Sequence, residues 1–266
     1  MIRYAKSAGV PSSLRRGVAA NAANCAAYDA NPAAYRSGDA EIDITGKIYG
    51  TKVVKRHLKA DQHDKCGFCE AIFDASVAGD VEHYRPKGAV MTGDGRIYPG
   101  YYWLGYAWAN LSYACPDCNE YRKRDRFPLA LEDARALDHH DDIAHEEPLL
   151  LDPYGARDPR QHILFRGEAP TGRTLVGDTT IEVLALGRTA LARDRLNHLR
   201  TLSRLHESVR LLVDDPRPDA IAHVARIRAQ LTAAVEPAAK FSAASADHLA
   251  ALDAGQHYLP EETLVP

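Results

Sequence analysis

The sequence predicts an α+β fold, mostly helical, in which a short strand–strand–helix core is stapled by four cysteines and flanked by helical segments. Three observations predict it. Apolar residues recur at helical spacing near both ends. The middle lacks that periodicity and is rich in aromatics and glycine. Within that middle, Cys66/Cys69 and Cys115/Cys118 form two Cys-x-x-Cys pairs. The chain of 266 residues is long enough for a large core. It divides into an N-terminal helical segment (1–62), the cysteine-bounded core (63–130) and a mainly helical extension (131–266).

Taken in order, Pro11-Ser12-Ser13 offers a helix start, with Val18, Ala22, Cys25 and Ala26 on one face. Asn31-Pro32 and Ser37-Gly38 interrupt it. A second helix is expected from Ile48 to Leu58, with Val54 and Leu58 four apart. Cys25 reads as a small core residue. In the middle, Asp80-Val81-Glu82-His83-Tyr84 predicts a strand stopped by Pro86, and Met91 to Gly100 a glycine-punctuated loop. Leu111-Ser112-Tyr113-Ala114 predicts the second strand, and Asp117 onward a helix carrying Asn119. Pro128 closes the module.

Leu137 to Glu147, acidic and histidine-rich without fixed ligand spacing, reads as a solvated loop. Pro148 to Pro153 and His162 to Phe165 read as extended cover for the core. Leu196, Leu199, Leu202, Leu205, Val209 and Leu212 predict one long helix ended by Asp215-Pro216. Ile221, Val224, Ile227, Leu231 and Val235 predict another, and Phe241 to Leu252 a third; such stripes serve an intramolecular bundle more often than the alternative, a coiled-coil partner surface.

The formal charge of -3 argues against a chain-wide polyanion surface. A phosphate-binding patch must be local, and Arg122-Lys123-Arg124-Asp125-Arg126 is the candidate. No apolar run is long enough for a bilayer, and Met1 to Lys6 lacks the apolar centre of a secretory signal. Cysteines in metal-type spacing fit a reducing compartment; together these point to the cytoplasm. No Gly-x-x-x-x-Gly-Lys-Ser/Thr phosphate loop occurs.

Each Cys-x-x-Cys directs two sulfurs at one metal, and two such knuckles complete the tetrahedron of a structural Zn²⁺. A thioredoxin-like redox pair competes, but two pairs in one chain weaken it. A full thiolate shell leaves no position for water, so this metal builds the fold. Between the pairs lie Glu82-His83 and Asn110, and Asn119 follows the last cysteine. Singly, these read as a surface ion pair, a turn residue and a helix cap. Their order within one cysteine-bounded segment supports a joint reading.

That order, Cys-x-x-Cys, Glu-His-x-x-Pro, Asn, Cys-x-x-Cys-Asn-x-x-x-Lys from Cys66 to Lys123, resembles the HNH endonuclease module. The resemblance implies a ββα-metal unit tied by a four-cysteine zinc. The strings Lys65 to Glu70, Val81 to Lys87, Trp108-Ala109-Asn110-Leu111, Phe127-Pro128-Leu129 and Pro148 to Pro153 further resemble PtuB-like HNH proteins of Septu and retron antiviral systems. By position, the resemblance implies that His83 is the general base and that Asn110 orients its ring. Glu82 and Asn119 would hold a catalytic Mg²⁺ or Mn²⁺. Arg85, Lys87, Arg122, Lys123, Arg124 and Arg126 would contact nucleic acid. The wider family often has Asp where Glu82 stands and His where Asn119 stands; oxygen ligands at both suit a hard cation. The resemblance also implies a nucleic-acid substrate, DNA ahead of RNA, and an ATPase partner docked on the flanking helices. The competing expectation is a zinc-organised nucleic-acid- or protein-binding adaptor with an inactive HNH-like site.

Overall fold

The computed structural model describes residues 1–73 and 79–259. A single 3-10 turn at Ser12–Leu14 leads into α1 (Arg15–Ala30), followed by α2 (Pro32–Ser37). The face of α1 expected to be buried is not the buried one. Gly17 and Tyr28 face inward, whereas Val18 is 73% exposed and Ala22 and Ala26 are also open to solvent. Close approach decides this. A Cβ on Gly17 would sit 2.5 Å from the Cβ of Tyr106, so only glycine lets α1 come down there. Cys25 is half-buried rather than core.

The helix expected from Ile48 to Leu58 is two helices, α3 (Gly46–Tyr49) and α4 (Lys52–Asp61). The Thr51 hydroxyl accepts the Val54 N–H at 3.3 Å and starts a new helix there, so the chain breaks at Gly50. Val54 and Leu58 are fully buried, each contributing about 1.5–3 kcal/mol.

Next come β1 (Asp80–His83), β2 (Val90–Thr92), β3 (Gly95–Ile97) and β4 (Leu111–Ala114). β1 pairs antiparallel with β4, Val81 opposite Tyr113 and His83 opposite Leu111. Alternation along the strand puts Val81 and His83 on one face and Glu82 on the other. The Val81 face packs with Leu14, Val54, Leu58 and Leu111. Directly after β4, Asp117–Lys123 winds as a π-helical turn, closed by the Arg124 N–H on the Asn119 carbonyl at 2.8 Å.

The segment expected as a loop from Met91 is instead the β2–β3 hairpin, with Thr92 opposite Gly95. Its strands are three residues each and mostly solvent-facing, which leaves no alternation to read in the sequence. Gly95, at φ +126°, makes the turn possible.

The extension contains α5 (Pro159–His162) and the hairpin β5 (Ile163–Arg166) with β6 (Ala169–Gly172). Four helices follow, α6 (Leu175–Val183), α7 (Thr189–Leu212), α8 (Pro218–Ala233) and α9 (Ser242–Asp253). α7 packs against both α8 and α9, the bundle its leucine stripe predicts. Ile221 departs from the pattern, being 57% exposed. The 148–153 run covers the core in extended form: Leu150 and Leu151 are buried, and the Tyr84 hydroxyl donates to the Leu150 carbonyl at 2.6 Å.

The loop expected to be solvated at 137–147 is partly internal. Asp138 and Glu146 are buried; Glu146 accepts from Tyr101 at 2.7 Å and from Arg85 at 2.8 Å. The larger apolar cluster joins the four cysteines to Phe68, Phe127, Leu151, Leu199 and Phe241. Among the described residues, no helix is long and apolar enough to cross a membrane.

Candidate active site and metal centre

The four cysteines meet. Cys66, Cys69, Cys115 and Cys118 are all buried, with their sulfurs within 4.8 Å of one another. In the first knuckle the Glu70 N–H donates to the Cys66 carbonyl and the Cys66 N–H to the Ala71 carbonyl, both at 3.0 Å. Glu70 takes the left-handed conformation at φ +61°, which turns the chain tightly enough to aim both sulfurs one way. In the second knuckle the Asn119 N–H donates to the Cys115 carbonyl at 3.0 Å, and the Gly67 N–H joins the two knuckles through the Tyr113 carbonyl at 2.9 Å.

Zinc–sulfur bonds of about 2.3 Å in a tetrahedron require sulfurs about 3.8 Å apart. Cys69 Sγ and Cys115 Sγ lie 3.9 Å apart, so the group can hold one zinc ion. Arg188 from the start of α7 brings its guanidinium to 3.6 Å from Cys118 Sγ and 3.9 Å from Cys115 Sγ. Four thiolates around Zn²⁺ carry two net negative charges, and this cation offsets part of them. Nothing in the sequence near Arg188 signals the role, because the pairing spans the chain.

A cleft of about 550 Å³ opens beside the β1–β4 pair, lined by Glu82, His83, Lys87, Asn119 and Arg124. Glu82 and His83 project from opposite strand faces, yet both reach this cleft because β1 ends at His83. The His83 ring is buried edge-on against Tyr49, with centroids 4.6 Å apart. Its Nε2 lies 2.8 Å from the Gly105 carbonyl. A carbonyl only accepts, so Nε2 carries the proton and Nδ1 keeps the lone pair. Burial, with Lys87 adding to it, pulls the His83 pKa down to about 3. The imidazole is therefore a neutral base at physiological pH.

Asn110 spends its amide on backbone groups beside that ring. Its Oδ1 accepts the Arg85 N–H at 2.8 Å, and its Nδ2 donates to the Arg85 and Leu104 carbonyls at 3.0 and 3.2 Å. It clamps the backbone beside Gly105, and Gly105 holds the ring. Tyr49 and the Gly105 carbonyl were not legible as ring partners, since neither belongs to a motif.

Lys123, expected on phosphate, is fully buried. Its ammonium sits 2.6 Å from Glu82 Oε1 and donates to the His83 carbonyl at 2.9 Å. Burial raises the Glu82 pKa, with Lys123 opposing it. A carboxylate and an amide oxygen suit a hard cation, so Glu82 and Asn119 fit that role, with one Glu82 oxygen already engaged by Lys123.

The remaining basic candidates divide. Lys87 and Arg124 line the cleft. Arg85 is taken up by Glu146 and the Tyr84, Tyr101 and Phe127 rings. Arg126 turns back onto the Arg122 and Val183 carbonyls. Arg122 is exposed outside the cleft lining. The sequence missed Arg96, which joins the cleft while pairing with Asp125 at 3.3 Å.

No family model and no solved structure matches the chain. Among curated proteins, Septu protein PtuB of Bacillus mycoides (strain KBAB4) is 38% identical over 155 residues, covering 56% of this chain and 52% of that protein. The chain resembles a PtuB-like Septu protein. It spans about half the length of that relative.

Proposed function

We propose that this chain is a metal-dependent HNH-type endonuclease that hydrolyses nucleic-acid phosphodiester bonds within an anti-phage defence system. The observation that carries the reading is the convergence of Glu82, His83 and Asn119 on one cleft beside a cysteine-stapled strand pair. His83 Nδ1 takes the proton from an attacking water, and the negative charge of a phosphate beside the ring would raise its depressed pKa; positioned general-base catalysis contributes about 10²–10⁴ in rate when the base titrates near the working pH. The Gly105 carbonyl and the Tyr49 edge hold the ring for that transfer. A divalent cation held by Glu82 and Asn119 would supply Lewis acidity at the scissile phosphate. Lys87 and Arg124 neutralise flanking phosphates, contacts that carry no sequence information.

The likeness to Septu protein PtuB supports the defence setting. The resemblance to Septu-type HNH subunits adds an ATPase partner, with the N-terminal helices and the helical extension as docking surfaces and residues 63–130 as the catalytic unit. Incubating the protein with DNA and RNA, single- and double-stranded, plus Mg²⁺ or Mn²⁺ tests the proposal. Wild type should cleave and His83→Ala should not. Equal cleavage by both would remove His83 from the mechanism.

One observation favours a second reading, the adaptor with an inactive site: Lys123 already neutralises Glu82. On that reading neither protein cleaves any substrate, even with an ATPase partner supplied.

A further inference from the structure

Outside the cleft and the cysteine centre, a third set of metal-ligating side chains converges. Asp29, near the end of α1, and His139 and His140, from the loop after the core, bring one ligand atom each to within 4.8 Å of one another. His139 Nε2 lies 3.4 Å from Asp29 Oδ2, and His140 Nε2 lies 2.9 Å from Asp29 Oδ1. We propose that Asp29, His139 and His140 form a second transition-metal site that binds one divalent ion of the zinc type.

Three features of the geometry carry this. First, the spacing is right. Zinc–nitrogen and zinc–oxygen bonds of about 2.0–2.1 Å in a tetrahedron separate ligand atoms by about 3.3 Å, close to the 3.4 Å between His139 and Asp29.

Second, the His139 ring is oriented from behind. Its Nδ1 is hydrogen-bonded at 2.5 Å to the hydroxyl of Tyr102, a residue with no exposed surface. Metal-bound histidines characteristically engage their other ring nitrogen in this way, which fixes the ring for the metal. Tyr28 adds an edge contact to the same ring at 6.0 Å, and the two imidazoles lie 4.0 Å apart.

Third, Asp29 stands near the carboxyl end of a sixteen-residue helix, where the helix dipole disfavours a bare carboxylate and favours a cation beside it. The neighbouring carboxylate does not compete. Asp138 is committed to the Tyr28 hydroxyl at 3.0 Å, the Arg36 guanidinium at 2.9 Å and the His140 N–H at 2.9 Å.

Two imidazoles and one carboxylate make a set for zinc and its first-row neighbours, not for magnesium. Three protein ligands leave one position for water or an incoming donor. The side chains of Asp29 and His140 are 48% and 65% exposed, so an ion can enter from solvent. Binding would tie α1 to the 137–147 loop, whose Glu146 holds Arg85.

The test is calorimetric titration with zinc chloride of full-length protein already carrying zinc on its cysteines. It is done in a His83→Ala background with excess Mg²⁺, so that the cleft does not take up the titrant. The parent should bind one further equivalent. Asp29→Asn and His140→Asn should each weaken that binding by about tenfold or more. Tyr102→Phe, which leaves all three ligands in place, should weaken it by about tenfold, as loss of an outer partner does. His223→Asn, on the exposed face of α8, should change nothing. Thermal melts without added zinc should superimpose for the Asp29 and His140 variants, because neither residue is buried. No further equivalent, or undiminished uptake by a variant lacking Asp29, His139 and His140 together, would overturn the proposal. Unchanged affinity in Tyr102→Phe would overturn the orienting role assigned to Tyr102.

Discussion

The cysteine centre and the cleft share one pair of strands and are built on opposite terms. Every sulfur is buried, the surrounding backbone is hydrogen-bonded knuckle to knuckle, and Arg188 is drawn in from the far side of the chain to balance charge. No donor is left for a substrate. In the cleft the reverse holds. Glu82 and His83 are themselves buried, yet they border an open space with Asn119, Lys87 and Arg124. A closed metal shell stabilises; an open, asymmetrically charged one is available for chemistry.

The largest expected difference between the two regions is in stability. Cys69→Ser, or zinc removal by a chelator, should cost on the order of 10 kcal/mol, comparable to the whole stability of a domain. Loss of ordered tertiary signal together with released zinc would show it; a folded, zinc-free variant would break the comparison.

Next in size is the buried pair that supports the cleft. Lys123→Met strands the Glu82 carboxylate, at a cost of about 3–5 kcal/mol. The double variant with Glu82→Gln should recover much of that in denaturant unfolding. Additive losses would mean the ion pair is not the link.

A smaller effect follows from the His83 imidazole. Its folded pKa lies near 3, below the ordinary value of about 6.5. The unfolded chain therefore binds the extra proton between those values, and stability falls as pH drops through that window. Between pH 6.5 and 5 the loss is about 2 kcal/mol. His83→Gln should flatten that part of the stability–pH curve, and an unchanged slope would contradict the burial of the ring.

The smallest effect separates cleft cations from structural ones. Lys87→Ala and Arg124→Ala should each lower the slope of log binding against log salt by about 0.7–0.9. Arg85→Ala and Arg126→Ala should instead lower the melting temperature.

Much of this was legible in the sequence, and what escaped it has physical causes. The two strands fell at Asp80 to His83 and Leu111 to Ala114, because short segments without helical spacing, closed by Pro86 and Cys115, have few alternatives. Val54 and Leu58 marked a buried helix face by spacing alone. The inward face of α1 could not be found that way, since a glycine under Tyr106 sets it rather than an apolar stripe. Nor could the burial of Lys123, since a lysine in a basic run carries no local sign that a carboxylate awaits it across the strand. The Asp29–His139–His140 cluster was hidden for a related reason. Asp29 lies 111 positions before His140, and acidic, histidine-rich loops are mostly solvated.

The claim that the zinc centre holds the fold while the cleft holds the chemistry is tested most directly on one sample of His83→Ala. Its zinc content and its Mn²⁺-dependent cleavage of nucleic acid should be measured side by side with wild type. A full equivalent of bound zinc with cleavage lost is the predicted result. Retained cleavage, or zinc lost together with activity, would contradict it.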